Sequence, residues 1–533
     1  MRIRCRFLRP VCGDGASSGR AAAFLLAVLS SPLFSVFAQA PPLAIPFPES
    51  GLGGRLAELV AEAPKGTTVS LLVERADDAS TVFSHNADLP MIPASNQKIL
   101  TTAAALHYLG ADFRYRTHLC YRGSIRDGAL EGDLVVIGSG DPSISGRFTD
   151  DPDDVTVVFR QWAAEIKERG VTRITGDIVG DDDAFDDAVL APGWPPGQEG
   201  EWYCAEVSAL TLNDGCVDVF WRGGERPGER PTFELNPPTA HLKVINDLRT
   251  ESRSGKDTRW YRRIAPSHTI EAVGTIPPRK TRRDYIAVSG ATLFLVSVLR
   301  HTLIAEGIAV EGQAFDIDDF ADKSPYRQGL HGLAAHTSPP LKDIVREINL
   351  HSQNLFAELA FKTIGSYGGS AGSFESGRRA VMDLLESWHV PLEGVYAADG
   401  SGLSRLNRVT ARALVGVLRC VDASATSETF RASFPVGGGE QGSLRHRFQG
   451  SGGNQRPEAG RIRAKTGYIG GVRALSGWAS RSDGTEYRFS ILLNSGERHV
   501  AGSVQWVDDV ALALTQPWNL SQKIRSAAVS PAP

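Results

Sequence analysis

Three short motifs in this chain carry the residue types that an acyl transfer needs. Ser95 and Lys98 form Ser-x-x-Lys, Ser352 and Asn354 form Ser-x-Asn, and a Lys-Thr-Gly triplet begins at Lys465. A serine hydroxyl attacks an amide carbonyl when a neighbouring base accepts its proton. Side chains three residues apart on a helix lie on the same face. The first motif therefore predicts a serine nucleophile with a lysine base.

The other motifs contain residues suited to the remaining proton transfers. Lys98 can act as the base in its neutral form, which burial and a second cation at Lys465 would both favour. Ser352 can relay a proton to the leaving amine, because a hydroxyl donates and accepts at once. Asn354 has an amide acceptor and an amide donor, so we expect it to hold Lys98 and a substrate peptide group together.

The Lys-Thr-Gly motif is predicted to lie on an edge strand and to bind substrate. The charge of Lys465 and the hydroxyl of Thr466 favour a substrate that carries a free carboxylate. Gly467 leaves room for the substrate backbone to approach. We expect the backbone N–H groups of Ser95 and Tyr468 to form the oxyanion hole, where one such donor is worth about 3 kcal/mol in barrier height.

A rival motif occurs at Gly368–Gly372, which matches the nucleophile elbow G-x-S-x-G with Ser370 as its serine. An elbow requires a buried strand before the serine, whereas a helical pattern over 355–364 precedes this one. We therefore predict a small-residue loop there. The sequence contains no H-E-x-x-H, P-loop, dinucleotide fingerprint or Cys/His ligand spacing, so no metal or cofactor is predicted.

Length and charge restrict the class of protein. A chain of 533 residues predicts two or three domains. Hydrophobic residues make up 42% and charged residues 22%, a balance typical of globular proteins with a sizeable core. The net charge of -4 gives no electrostatic reason to expect a nucleic acid as partner.

The N-terminus is typical of an export signal. Arginines precede an apolar stretch over 21–38, and Ala38-Gln-Ala40 fits a small-x-small cleavage site. This predicts a signal peptide cleaved near Ala40 and a periplasmic mature protein. An uncleaved membrane anchor is the alternative, although Pro32 and the nearby serines make a poor spanning helix. Peripheral association with the membrane or cell wall stays open, as does the oligomeric state.

Four cysteines follow the predicted cleavage site, and two of them lie close together in the sequence. Cys204 and Cys216 could join in an oxidising compartment. Buried free thiols are the alternative for this pair.

Hydrophobic periodicity predicts the elements around the motifs. Strands are expected at 67–74, 81–83, 461–466, 472–480 and 487–493, and helices after Ser95 and at 341–348, 355–364, 376–388 and 503–514. Ser352 is expected to cap the helix at 355–364. Between the two groups lie short β-type runs punctuated by glycine and aspartate, with helices near 156–169 and 293–307.

Strands at both ends with helices between them indicate one α/β domain whose sequence is split by a mainly β insert. The predicted ranges are 1–40 for the signal peptide, 41–117 and 328–525 for the catalytic domain, 118–327 for the inserted accessory domains and 526–533 for a disordered tail.

The motifs in their surroundings resemble the class C low-molecular-mass penicillin-binding proteins, of the D-alanyl-D-alanine carboxypeptidase/endopeptidase type. The similar segments are spread over nearly the whole mature chain: Pro93–Lys98, Gly140–Pro142, Gly176–Asp181 with Phe185, Val207–Leu210 with Asn213, and Asp399–Arg405. The resemblance implies a serine transpeptidase (β-lactamase-like) domain, in which helices flank an antiparallel sheet. It also implies a large insert of two smaller domains between the first two motifs.

The resemblance further implies a periplasmic hydrolase that acts on peptidoglycan stem peptides. Ser95 would carry the acyl ester, Lys98 would accept the proton, and Ser352 would be a second catalytic residue. Asn354 and Lys465 would bind or orient substrate. The reaction would remove a terminal D-alanine or cut a cross-link. β-Lactam antibiotics mimic the D-alanyl-D-alanine end and would be expected to acylate the same serine.

The chain departs from the family pattern at two positions. Tyr468 stands where the family usually has a small hydroxyl residue, which predicts weaker carboxylate recognition. Gln353 replaces the commoner Asp or Asn, and its side chain is expected to have a minor effect. Two other functions stay open: a β-lactamase or esterase on the same fold, and a non-catalytic wall-binding protein.

Overall fold

Two strands and two helices precede the insert. They are α1 (Leu52–Ala61), β1 (Thr67–Arg75), β2 (Thr81–His85) and α2 (Gln97–Leu109). The computed structural model describes residues 51–516, except 253–254, 265–266, 368, 451–452 and 498. The predicted signal peptide and the predicted disordered tail lie outside the described residues.

Short strands dominate the next part of the chain. Its elements are β3 (Arg116–Arg126), β4 (Ala129–Ile137), α3 (Val157–Glu168), β5 (Arg173–Ile174), β6 (Ile178–Asp181), β7 (Cys216–Arg222), β8 (Thr232–Asn236), β9 (Lys243–Thr250), β10 (Trp260–Ile264), β11 (Thr269–Ile276), β12 (Thr281–Ala287), α4 (Ala291–Ala305), β13 (Ala309–Val310), β14 (Ala314–Asp316) and β15 (His331–Thr337). They form a seven-stranded sheet and two three-stranded sheets. Their apolar side chains build a core of their own around Trp162, Trp221 and Phe294.

Helices return after the insert and three strands follow. These elements are α5 (Leu341–Leu350), α6 (Asn354–Ser366), α7 (Phe374–Ser387), α8 (Ala411–Asp422), α9 (Ser427–Ala432), β16 (Ile462–Ile469), β17 (Val472–Ser480), β18 (Glu486–Ser495) and α10 (Ser503–Ala513).

A five-stranded antiparallel sheet unites the two ends of the described chain, in the order β16-β17-β18-β1-β2. Side chains alternate across it, as the strand geometry requires. In β1, Leu71 and Val73 pack on the side that holds α1 and α10, whereas Leu72 packs on the side that holds α2, α6 and α8. The predicted fold class is therefore confirmed, and β16 lies at the edge of the sheet, as predicted for the Lys-Thr-Gly motif.

The predicted domain ranges stay a prediction, and the sheet pairing bears on where the insert begins and ends. β3 starts at Arg116 and pairs with β15, which spans His331–Thr337. Both strands belong to the seven-stranded sheet of the insert.

The predicted cap of α6 was wrong by one residue. Gln353, in an extended conformation, occupies the N-cap position, and its side-chain oxygen accepts a hydrogen bond from the backbone N–H of Leu355 at 3.2 Å. Ser352 instead has a φ of 61°, a left-handed conformation that a non-glycine residue rarely adopts. Serine is a favoured cap residue, but Oγ of Ser352 accepts a hydrogen bond from Lys465 instead.

Two further expectations concern other parts of the described chain. Cys204 and Cys216 are both free thiols, so the disulfide alternative is not realised. Ser370 lies in an exposed loop between α6 and α7, as predicted from the helix before it. Among the helices that the structure describes, none is long and apolar enough to cross a membrane.

Candidate active site

Ser95 lies in a tight turn that leads into α2. Residues Ala94–Asn96 form a 3-10 turn, and Ala94 has a φ of 47°. Such strained backbone is often found at functional sites, where the surrounding structure holds it in place. Nζ of Lys98 lies 3.0 Å from Oγ of Ser95. The structure thus brings the predicted nucleophile and the predicted base into direct contact.

Lys98 is completely buried and is surrounded by oxygen atoms. Its Nζ donates to Oδ1 of Asn354 and to the backbone oxygen of Ser401, both at 2.7 Å. Burial lowers the pKa of Lys98 to about 7, because desolvation outweighs the nearby carboxylates of Glu358 and Asp399, which favour the charged form. A large share of Lys98 is therefore the free amine at neutral pH.

A neutral lysine amine has two N–H groups and one lone pair. At Lys98 the two N–H groups are taken by Asn354 and by Ser401, the closer partners. The lone pair then remains for the third partner, the hydroxyl of Ser95. The geometry therefore orients the amine to accept the proton of that hydroxyl.

Lys465 and Ser352 form a second pair. On β16, Nζ of Lys465 donates to Oγ of Ser352 at 2.9 Å and to the backbone oxygen of Thr466 at 2.8 Å. Lys465 is completely buried. Burial, and then the charge of Lys98, hold the pKa of Lys465 well below its usual range. Each serine of the first two motifs thus has its own lysine.

Gly467 allows β16 to pack directly against the turn that carries Ser95. A Cβ atom at this position would lie 2.7 Å from the backbone oxygen of Pro93 and 2.9 Å from Cβ of Ala474. The space that we predicted for substrate backbone is therefore occupied by the protein itself. Glycine is needed at this position because the protein packs closely against it, and not because substrate approaches it.

The other two residues predicted on this strand face outward. The hydroxyl of Thr466 donates to Oγ of Ser443 at 2.8 Å. Tyr468 is 63% exposed, and the guanidinium of Arg473 lies 4.0 Å from the centre of its ring. An aromatic ring stacked on arginine therefore stands at the position where the family usually has a small hydroxyl residue.

Asn354 links the site to the insert. Its amide oxygen accepts from Lys98, and its Nδ2 donates to the backbone oxygen of Tyr203 at 2.9 Å. We predicted that this donor would hold substrate, whereas in the structure it binds the insert. The position of Asn354, and through it that of Lys98, thus depends on residues far away in the sequence.

Glu358, which no sequence motif indicated, supports the loop beneath Lys98. The two carboxylate oxygens of Glu358 accept backbone N–H groups from Gly400 at 2.7 Å and Ser401 at 2.8 Å. This fixes the loop whose Ser401 carbonyl binds Lys98. Burial raises the pKa of Glu358. Glu358 follows Asn354 by four residues, so a shared helix face was the signal that could have found it.

Asp399 holds the same loop from the other side. Its carboxylate accepts from the backbone N–H of Gly402 at 2.8 Å and of Ser404 at 2.6 Å, and from the indole N–H of Trp194 at 2.9 Å. Asp399 therefore shapes this turn. Trp194 is a second contribution of the insert.

Carboxylates that could approach a cation lie elsewhere, in the insert. Asp182, Asp316 and Asp318 form one such group, and Asp183, Asp187 and Asp318 form another. Lys323 pairs with Asp183 and Asp318. A lysine already balances part of their charge, and acidic groups of this kind are common without an ion.

Comparison with known proteins identifies the family of the chain. The D-Ala-D-Ala carboxypeptidase 3 (S13) family matches residues 52–510. A D-alanyl-D-alanine carboxypeptidase of Actinomadura sp. (strain R39) is 30% identical over 529 residues, which cover 96% of this chain and 93% of that protein. The D-alanyl-D-alanine carboxypeptidase DacB of Haemophilus influenzae is 25% identical, over 82% of this chain and 88% of that protein.

A solved structure shares the fold. The crystal structure of penicillin binding protein 4 from Haemophilus influenzae superposes with a TM-score of 0.73 at 23% identity, covering 88% of this chain and 99% of that one. The same protein complexed with a novel β-lactam gives a TM-score of 0.68. The resemblance inferred from the motifs is therefore confirmed, and the chain belongs to the D-Ala-D-Ala carboxypeptidase 3 (S13) family.

Proposed function

We propose that this chain is a periplasmic serine-type carboxypeptidase and endopeptidase that hydrolyses peptidoglycan stem peptides through an acyl-enzyme on Ser95. The observation that carries the proposal is the arrangement at Lys98. Its Nζ binds two acceptors at 2.7 Å and lies 3.0 Å from Oγ of Ser95, so the neutral amine has its lone pair left for that hydroxyl. A pKa of about 7 makes the neutral form available under physiological conditions.

In acylation, Oγ of Ser95 attacks the carbonyl carbon of the penultimate D-alanine while its proton passes to Nζ of Lys98. The backbone N–H groups of Ser95 and Tyr468 stabilise the negative charge that develops on the carbonyl oxygen. The proximity of β16 to the Ser95 turn, which Gly467 permits, supports this pairing of donors.

The leaving amine takes its proton from the Ser352 hydroxyl, which is resupplied by Lys465 at 2.9 Å. The lowered pKa of Lys465 makes that proton easier to release. The amide C–N bond breaks, and the acyl group stays on Ser95 as an ester. Lys98 has gained one proton and Lys465 has lost one, so the number of protons in the site is unchanged.

In deacylation, a water molecule attacks the ester carbonyl and gives one proton to the Ser352–Lys465 pair. The ester bond to Ser95 breaks, and Oγ recovers its proton from Lys98. The acid product leaves, and both lysines return to their starting states. The same two proton paths therefore serve both halves of the reaction.

The relatives support the substrate class, and the N-terminal sequence supports the location. The D-alanyl-D-alanine carboxypeptidases among the relatives support a terminal D-alanine as leaving group, and a cross-link presents the same acyl donor with a larger amine. The β-lactam complex of the Haemophilus influenzae protein supports acylation of Ser95 by penicillin. The apolar stretch over 21–38 and the cleavage pattern at Ala38-Gln-Ala40 support export.

The test is product analysis of the purified protein with a stem pentapeptide, with cross-linked muropeptides and with fluorescent penicillin. We expect release of D-alanine, cleavage of the cross-link and covalent labelling, and Ser95→Ala should abolish all three. Ser370→Ala, in the rival motif, is the matched control and should behave as the unmodified protein. Labelling that survives Ser95→Ala would overturn the proposal. Fractionation of cells that express the full chain tests the location.

A further inference from the structure

A cleft of about 450 Å³ lies beside the site, mostly in the insert. Its volume is within the range of small-molecule sites. The residues that line it and matter for its chemistry are Arg147, Trp202, Asp214, Arg283, Tyr285 and Gln353. The reaction proposed above uses none of these side chains.

The cleft adjoins the site at two points. Gln353 is the residue between Ser352 and Asn354, and its Nε2 donates to Oδ2 of Asp214 at 3.0 Å. Trp202 precedes Tyr203, whose backbone oxygen accepts from Asn354. If one part of a large substrate is bound at Ser95, a neighbouring part of the same substrate can therefore reach the cleft.

The charges in the cleft are already balanced. Arg147 donates from Nε to Asp214 at 2.9 Å and pairs with Glu347 at 3.6 Å. Arg283 donates to Asp153 and to Asp218, both at 2.6 Å. Because both arginines have carboxylate partners, the cleft offers no spare cation to a phosphate or an acidic peptide. A neutral ligand suits it better.

Two aromatic rings give the cleft its apolar surface. Trp202 is 44% exposed and Tyr285 is 49% exposed, whereas large aromatic side chains are usually mostly buried. Tyr285 is held in place by the guanidinium of Arg283, 5.2 Å from the centre of its ring. The C–H faces of a pyranose ring stack on such aromatic surfaces.

Hydrogen-bonding capacity accompanies the rings. Arg147 lines the cleft, and its side chain is 36% exposed although Asp214 and Glu347 balance its charge. A guanidinium has five N–H donors, more than these carboxylates engage, and hydroxyl and acetamido oxygens of a sugar accept from such groups. Exposed aromatic rings, balanced charge and exposed N–H donors together describe a saccharide site.

We propose that this cleft binds an N-acetylhexosamine unit of the glycan strand that carries the stem peptide. The inference rests on the proposed function, since that function places a glycan-linked peptide at Ser95. It adds that the enzyme selects peptide still attached to its glycan, through Trp202 and Tyr285. Binding of the sugar increases the affinity for substrate, and no side chain of the cleft takes part in the bond-breaking steps.

The experiment compares two substrates of the full mature protein: a disaccharide-pentapeptide and the same pentapeptide without sugar. We expect kcat/KM to be higher for the disaccharide-pentapeptide. Trp202→Ala and Tyr285→Ala should each lower the ratio of the two kcat/KM values by about fivefold, the scale of one aromatic contact. Trp260→Ala is the control, because Trp260 is a 54% exposed tryptophan of the insert outside the cleft. It should leave the ratio unchanged.

A second measurement is independent of turnover. Isothermal titration calorimetry with a trimer of N-acetylglucosamine should show saturable binding, which Trp202→Ala weakens about fivefold and Trp260→Ala leaves unchanged. Equal kcat/KM values for the two substrates would overturn the inference, as would absence of trimer binding or an equal loss on the sugar-free peptide. If neither peptide hydrolysis nor penicillin labelling occurs while the trimer binds, the proposed function fails and the saccharide site stands.

Discussion

Lys98 has three hydrogen-bond acceptors around it, one more than a neutral amine has protons. Two of them, the amide oxygen of Asn354 and the carbonyl oxygen of Ser401, can only accept a hydrogen bond. The Ser95 hydroxyl can also donate one. Protonation of Lys98 would supply a third N–H but places a charge in a completely buried position. The local chemistry therefore favours the neutral form with its lone pair towards Ser95.

The pH dependence of acylation follows from this. The pKa of Lys98 is lowered from 10.5 to about 7, and the base acts only when it is deprotonated. Below that pKa the rate of labelling by fluorescent penicillin should fall about tenfold per pH unit, and above it the rate should level off. Stopped-flow labelling across the range is the measurement. A rate that keeps rising towards pH 10 would show an unperturbed lysine.

Gly467→Ala should damage the site through packing. The added Cβ would lie 2.7 Å from the backbone oxygen of Pro93, so β16 must move away from the Ser95 turn. Overpacking of this kind costs about 1–3 kcal/mol in the free energy of unfolding. Denaturant unfolding and penicillin labelling should both show a loss. Gly460→Ala is the control, since nothing lies within 4 Å of its Cβ position. Equal behaviour of the two variants would contradict the packing argument.

Helix α6 carries much of the support for the site. Asn354, Glu358 and Lys362 follow one another at intervals of four residues and therefore share a face. Asn354 binds Lys98, and Glu358 fixes the Gly400–Ser401 loop. Lys362 donates to Oδ1 of Asp186 at 2.7 Å in the insert. One polar helix face thus connects the proposed base, its loop and the insert.

Gln353→Ala tests how the start of this helix is held. The substitution removes the N-cap bond to Leu355 and the bond to Asp214. Loss of such a cap costs about 1 kcal/mol in the free energy of unfolding. Because Ser352 is held in a left-handed conformation next to it, penicillin labelling should also slow. Gln505→Ala, an exposed glutamine on α10, should change neither quantity. Labelling at the full rate would restore the earlier expectation that the Gln353 side chain has a minor effect.

Prediction from the sequence succeeded where side-chain patterns carry the information. The strands at 67–74 and 472–480 and the helix after Ser95 were predictable because apolar residues recur at the proper period. The amphipathic helix α8 was overlooked, although its pattern is present. Backbone oxygens of Ser401 and Tyr203 complete the Lys98 site, and a carbonyl leaves no signal in residue type. Those contacts depend on the three-dimensional fold.

The insert and the catalytic core are joined through the site itself. Tyr203 and Trp194 of the insert bind Asn354 and Asp399, respectively. Asp214 adds the bond to Gln353. Trp194 also packs against the hydrophobic core that contains α2 and α6. The insert therefore contributes to the geometry of the reaction as well as to the surface around it.

Trp194→Phe isolates one of these contacts. The ring is kept, but the indole N–H that donates to Asp399 at 2.9 Å is lost. A buried carboxylate deprived of a donor costs about 1–3 kcal/mol. We expect a lower free energy of unfolding and slower penicillin labelling. Trp260→Phe, at an exposed position in the insert, serves as control. A labelling rate equal to that of the unmodified chain would mean that the loop is held without the insert.

The place of β1 in the central sheet has a consequence for biosynthesis. β1 pairs with β18 over nine residue pairs, from Thr67 opposite Ser495 to Arg75 opposite Tyr487. A ribosome must therefore deliver nearly the whole polypeptide before this sheet can close behind Ser95. Until then the nascent protein has no assembled reaction centre. Hydrolase activity therefore requires the synthesis of β18, the last strand of this sheet.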